Sequence, residues 1–322
     1  MFDRPGGHDD DNPEDRPFEG RTYLYIRDNV ADTGVEPSAP PQWLSPDITV
    51  IPPGGMPGDD PQAGVANEVR ITVRNGGGLP AIGVWVDAFV ADPTTGWTPA
   101  TAVYVGGVYI DVAPTSTNDA VLSWTPLPGP THRCMLARCS LIIPNDTYVN
   151  PAIFDVANDR HVAQRNLHVV PLPKETQAMS FGFMVVNPLP EARTFFLRVD
   201  QVEPAAENLA MLRAQVGCRF AQFDDRPLRN FALTIGDPVD REARGVHFGV
   251  LPELAHDVAD RQQPTTRVMT EVRLEPGEAR RAVLTVVRNP DTRPGDLHVV
   301  EVAQYDAETR HPVGGLWLVV EN

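Results

Sequence analysis

Apolar and polar residues alternate along most of the chain, and turn formers interrupt the alternation about every ten to fifteen residues, the rhythm of short strands in a sandwich. In "NEVRITVRNGGG", Val69, Ile71 and Val73 fall on one face and Arg70, Thr72 and Arg74 on the other. Asn75 and the three glycines after it predict a hairpin turn. In "AIGVWVDAFVADP", Val84, Val86 and Ala88 alternate with Trp85, Asp87 and Phe89. "VYVGGVYIDV", "AVLSWTP" and "HRCMLARCSLII" supply further β-rich pieces, and "RNLHVVPL" closes the first half. Ahead of them, "TYLYIRD" and Ile48 to Ile51 flank a long proline-rich connection, which predicts a strand, a loop and an edge strand.

The second half repeats this logic. "MSFGFMVVNPLP" predicts a strand that runs into an Asn-Pro turn, much as the earlier one runs into Asn-Gly, with "TFFLRVDQVEP" as its neighbour. "PAAENLAMLRAQVG" predicts the one helix. Pro204 suits its first turn, Leu209, Leu212 and Val216 approach a 3.6 spacing, and Gly217 suits its cap. Residues 221 to 265 read as loop-rich. "RVMTEVRLEPGEARRAVLTVVRNP" predicts two strands about a Pro-Gly turn, and "GDLHVVEVAQYD" and "GGLWLVVEN" predict the last two.

A chain of 322 residues exceeds what one core usually organises, so two domains are expected. The 33 prolines and 25 glycines disfavour long helices, which makes all-β the expected class. Residues 1–20, with "HDDDNPED" and Asp9, Asp10 and Asp11, predict a flexible acidic arm; residues 21–172 and 173–322 predict two sandwiches, the second carrying the short helix. A net charge of −16 without a basic run argues against nucleic acid or anionic lipid as partner. No apolar run reaches the roughly 18 residues of a membrane span. The opening "MFDRPGGHDD" shows no signal-peptide pattern, so cytoplasmic synthesis is expected, with non-Sec export or release in a particle left open.

Candidate chemistry is sparse. Cys134, Cys139 and Cys218 are odd in number and lack metal-like spacing, so buried thiols are expected, with Cys134 and Cys139 on opposite strand faces. The central "DVANDRHVAQRNLHVV" gathers His161 and His168, but at a seven-residue offset that places them on opposite faces of any single strand. Asn158, Asp159 and Asn166 suit the turns of a loop entering a strand. "RDNVADTG" offers Asp28, Asn29 and Asp32, which Asp47 could join as oxygen ligands for calcium; Asx turns account for the same letters. No other cofactor is implied. No nucleophile motif, zinc motif or phosphate loop is present, which lowers the expectation of an enzyme without abolishing a hydrolase assembled from distant Asp, His and Glu. Trp85 and Phe89 share a face, with Trp97 nearby, and form a candidate contact surface.

"NEVRITVRNGGGLPAIGVWVDAFVADP", with "SWTP", "HRCMLARC" and "DVANDRHVAQRNLHVV", resembles CARDB-like and related bacterial immunoglobulin-like domains over about residues 22 to 170. "MVVNPLPEARTFFLRV", "LEPGEARRAVLTV" and "PGDLHVVEVAQYD" resemble a diverged immunoglobulin-like domain. The resemblance implies two tandem immunoglobulin-like β-sandwiches and a non-enzymatic role in adhesion, assembly or partner binding, with copies of the chain or other proteins as partners. An accessory carbohydrate-binding module is the alternative.

Overall fold

The structure, a computed structural model, describes residues 18–57, 61–98, 102–127, 134–171, 178–215, 222–223, 228, 230–239, 249–251, 267–287, 291 and 296–321. Most of the acidic arm, Cys218, the expected helix-end residues Val216 and Gly217, and most of 221–265 lie outside the described residues.

The regular structure of the described residues is nearly all strand, with one helix. Four sheets arise from β1 (Leu24–Tyr25), β2 (Ile48–Ile51), β3 (Asn67–Asn75), β4 (Ala81–Ala91), β5 (Val103–Val112), β6 (Ser116–Trp124), β7 (Cys134–Leu141), β8 (Asp146–Thr147), β9 (Val162–Arg165), β10 (Leu167–Pro171), β11 (Ala178–Val186), β12 (Arg193–Val202), β13 (Gln222–Phe223), β14 (Asn230–Pro238), β15 (Gly249–Val250), β16 (Arg267–Leu274), β17 (Ala279–Val287), β18 (Asp296–Asp306) and β19 (Pro312–Glu321). The first sheet sets β6 on one side of β3, with β1 and β2 end to end on the other. The second runs β5-β4-β7, with β8 and β9 end to end beyond β7. These two enclose one core, in which Val69, Ile71 and Val73 meet Val84, Val86, Ala88, Ala137 and Cys139.

The third sheet runs β14-β17-β11-β15 and the fourth β16-β12-β18-β19-β10, with β13 also alongside β18. Phe181, Phe183, Phe195, Leu197, Leu284 and Val302 form the core between them. Sandwich architecture follows from the alternation, because each sheet has one apolar face to bury against another. The helix α1 (Ala206–Gln215) sets Met211 and Leu212 in a separate cluster with Trp43, Leu297, Val299 and Trp317, and so covers the outer face of the fourth sheet.

The Asn75 turn corrects the hairpin expected there. β3 belongs to the first sheet and β4 to the second, so the turn arches between layers. Both sheets face one core, so the same alternation suits an arch as well as a hairpin. The glycines serve a close approach: a Cβ at Gly77 would lie 2.1 Å from the Arg21 carbonyl oxygen and one at Gly78 2.1 Å from that of Glu19. Likewise β12 is not the paired neighbour of β11; it lies in the opposite sheet.

The central segment divides between the two pairs of sheets. β9 pairs antiparallel with β7, and after Asn166 the chain becomes β10, which pairs parallel with β19.

Candidate functional site

The outward side of the second sheet carries the residues singled out as a contact surface. Trp85 and Phe89 share the outer face of β4, opposite Tyr109 and Tyr104 of β5. Four residues separate the first pair and five the second. A register irregularity between Ala88 and Phe89, where Val105 is skipped, returns both tyrosines to the same face. Trp85 meets Tyr109 with ring centroids 4.8 Å apart, and Phe89 meets Tyr104 at 5.6 Å. The Trp85 ring also covers Gly107, where a Cβ would come within 2.2 Å of it.

Two different surfaces result. Around Phe89, the Arg138 guanidinium lies 4.8 Å from the Phe89 ring centroid, 4.5 Å from that of Tyr148 and 5.1 Å from that of Phe154, and donates to both Asp87 oxygens. This box is filled by its own cation. Trp97 is only 3% exposed and packs with Leu136, Phe154 and Val162, so it adds nothing to an accessible face. Towards β5, by contrast, Tyr109 is 68% exposed, Tyr104 55% and Val103 65%. β5 and β6 run side by side but hydrogen-bond to different sheets, and between them lies a groove of about 430 Å³ lined by Val103, Tyr104, Trp124 and Leu127.

The four residues considered for calcium separate into two environments. Asp47 takes hydrogen bonds from the guanidinium groups of Arg27 and Arg74, at 2.7 Å and 2.9 Å in the shortest contacts. Burial pushes its carboxyl up, but the Arg74 and Arg27 bonds outweigh this and hold it below the usual range. Asn29 and Asp32 make Asx turns to Ala31 and Gly34, and Asp32 also accepts from the Asp28 amide. Asp28 is buried. Its Oδ2 accepts from Ser38 at 2.6 Å, while Oδ1 has no hydrogen-bond partner among the described residues. Burial drives this carboxyl well above its ordinary value, against the Ser38 bond, and the nearby carboxylates of Asp32, Asp159 and Asp155 add to the effect. Among the described residues no group of three or more His, Cys, Asp or Glu is arranged to hold a metal.

The central histidines serve different places. His161 Nδ1 lies 2.9 Å from Asp159 and Nε2 2.9 Å from Asp146, so in the imidazolium form each ring nitrogen donates to a carboxylate. Burial lowers the His161 pKa, yet the two carboxylates raise it beyond that loss. Asp146 also receives the Leu24 amide and Arg160, and despite the opposing effect of burial its pKa falls to about 2 through His161, Leu24 and Arg160. His168 lies elsewhere, with Cys134 and Asn166, in a group that composition alone did not point to.

Asn166 uses every polar atom it has. Its amide donates to the Trp43 carbonyl, its carbonyl accepts from the Trp317 amide, and its Nδ2 donates to Thr94 at 2.5 Å and Gly315 at 2.6 Å. Its Oδ1 accepts from the Cys134 thiol and, at 3.0 Å, from His168 Nε2. A Cys-His-Asn set invites a nucleophilic reading, but Cys134 and Asn166 are fully buried and His168 nearly so, and the amide holds four segments together. Beside it Thr95 bonds Met184 and Gln304, which also bonds Val186.

No protein-family model matches the chain, and no curated protein matches it. Solved structures similar to it include a CARDB domain from Pyrococcus furiosus, at 13% identity over 37% of this chain and 84% of that one, with a TM-score of 0.23. Red sea bream transglutaminase matches at 11% identity over 85% of this chain and 31% of that one, TM-score 0.22. The enterotoxigenic E. coli adhesin CfaE matches at 5% identity over 95% and 88%, TM-score 0.22. Likeness at these scores carries no argument about activity.

Proposed function

We propose that the chain is a non-enzymatic structural or assembly protein, built from immunoglobulin-like sandwiches, that makes protein–protein contacts through the outer side of its first sandwich. The observation that carries this reading is the β5 margin, where Tyr104, Tyr109 and Val103 are each more than half exposed on a strand that pairs on one side only. Large apolar groups gathered on one edge mark contact sites more often than chance exposure does. Aromatic rings supply area at little entropic cost, since each orders only two torsions.

Carbohydrate binding is the second reading, favoured by the packed Trp85 and Tyr109 rings, whose faces suit sugar stacking. Size-exclusion chromatography with light scattering, supported by negative-stain imaging, tests the first reading, with a glycan array run in parallel. A defined assembly is the expected result. A monomer at every concentration that binds glycans would reverse the order.

A further inference from the structure

Resting on that reading, we infer that β5 pairs antiparallel with the β5 of a second copy, about a two-fold axis that passes between Gly106 and Gly107. The strand is an edge of its sheet: among the described residues its only hydrogen-bonded neighbour is β4, and β6, which runs beside it, pairs with β3 of the other sheet and leaves the β5 backbone unpaired on that side. Its centre, Tyr104-Val105-Gly106-Gly107-Val108-Tyr109, reads identically in both directions. In this register Tyr104 faces Tyr109 of the second copy, Val105 faces Val108 and Gly106 faces Gly107, so each contact occurs twice, as an isologous interface requires. The skipped Val105 sets both tyrosines on one face, where the two cross-strand aromatic pairs fall side by side.

The other half of the molecule supplies an internal control. β16 holds the corresponding place, antiparallel beside β12 as β5 is beside β4. There the outward positions are Arg267, Met269, Glu271 and Arg273, all exposed. Charges of this kind keep an edge strand from pairing with another chain. Between Val103 and Ile110 β5 has no charge and no proline, so nothing of that sort blocks it.

Electrostatics and area agree with a second copy as occupant. Each copy carries −16, which opposes association in general, and the uncharged strand is where two copies meet without setting carboxylates against each other. A standard interface needs about 800 Å² per partner. Tyr104 and Tyr109, joined by Val103 and by Leu127 at 80% exposure in the adjoining groove, give this margin several exposed apolar side chains towards that area.

The test is a register-specific cross-link. Tyr104→Cys and Tyr109→Cys chains are prepared separately, shown to keep the wild-type melting temperature, and oxidised with copper-phenanthroline alone or after mixing; wild type serves as the background. In the two-fold register a thiol at position 104 faces one at 109, but lies about 17 Å from its own counterpart, five residues along an extended strand. That is beyond disulfide reach. Covalent dimer is expected in the mixture and not in either variant alone. A Tyr104→Lys/Tyr109→Lys double variant is expected to weaken the light-scattering dimer at least tenfold while remaining folded. If wild type assembles but the mixture gives no cross-link, or each variant links to itself equally well, this pairing is wrong and contact runs through another surface. Wild type that stays monomeric at every concentration would overturn both the pairing and the self-assembly on which it rests.

Discussion

Asn75 and Asn187 perform the same task in the two sandwiches. Asn75 ends β3 and Asn187 follows β11; each donates its side-chain amide to the carbonyl four residues ahead, Leu79 and Glu191, and to carbonyls at the end of a strand from the opposite sheet. Each side-chain oxygen accepts the amide two residues ahead, Gly77 and Leu189. The asparagine thus makes the inter-sheet arch in both halves, whether glycines or Pro-Leu-Pro follow it. β4 and β12, β5 and β16, and β6 and β17 then take equivalent places around it.

Alanine at either position would leave buried carbonyls unpartnered, at about 1 to 3 kcal/mol for each such group. Asn75→Ala and Asn187→Ala are each expected to lower stability by about 2 to 4 kcal/mol in urea denaturation. A loss under about 0.5 kcal/mol would mean that the arches are held by something else.

Much of this arrangement is legible in sequence, for a definite reason. Val69, Ile71 and Val73, and then Val84, Val86 and Ala88, alternate because each sheet has a single face to bury, so strands and core residues can be read directly. The partner sheet cannot, because both sheets turn the same pattern to the same core, and the arch at Asn75 therefore looks like a hairpin. Trp85 and Phe89 are correctly placed on one face by period two, while Trp97 falls in a loop whose covering segment, around Phe154, is remote in sequence. As an oxygen ligand Asp47 suits the Asp28 group, but the fold sets it against the guanidinium groups of Arg27 and Arg74, a pairing that residue type alone does not reveal. Asn166 reads in sequence as a local turn former where a loop enters a strand, whereas its side chain bonds Thr94 and Gly315, the latter 149 residues away, which no local pattern reveals.

The His161 cluster should make stability depend on pH in two windows. His161 has a raised pKa in the folded state, so its contribution is complete below the unfolded value, about 6.5, and is lost as pH rises through the higher folded value. Asp146 and Asp159 are lowered, so theirs is present above the unfolded value of about 3.9 and is lost as pH falls, towards about 2 for Asp146. The stability difference between wild type and His161→Gln should be widest between about pH 4 and 6.5 and narrow on both sides. Denaturation midpoints across pH 3 to 9 would show it. A flat difference would refute the coupling.

Asp28 bears on calcium from the opposite direction. Its folded pKa lies well above the unfolded one, so the ionised carboxylate opposes folding above about pH 4, and the opposition is relieved as pH falls. Asparagine keeps an oxygen for the Ser38 hydroxyl and carries no charge. Asp28→Asn is therefore expected to raise the melting temperature at pH 7, with chelator leaving wild type unchanged. A calcium ion on Asp28 and Asp32 would give the reverse: calcium would raise the wild-type melting temperature, chelator would lower it, and the substitution would abolish both responses.

The Asn166 amide offers the sharpest comparison of side chains, because aspartate has its shape without its donor. Asn166→Asp would aim a second oxygen at the Thr94 and Gly315 carbonyls, which now accept from Nδ2, and would bury a charge beside the Cys134 thiol, which the neighbouring His168 imidazole offsets only by taking up a proton. Asn166→Ala removes the same bonds without adding the repulsion. Both should lower stability, and aspartate should cost more than alanine at pH 7, with the total in the range of about 3 to 5 kcal/mol known for uncompensated buried charges. Protonation would restore a donor, so the aspartate deficit should shrink towards pH 4 while the alanine deficit stays constant. Urea denaturation of the two variants at pH 7 and pH 4 separates these cases. Equal losses at both pH values would refute the buried-charge repulsion, and an alanine variant as stable as wild type would show that the amide's hydrogen bonds to Thr94 and Gly315 do not hold the sandwiches together.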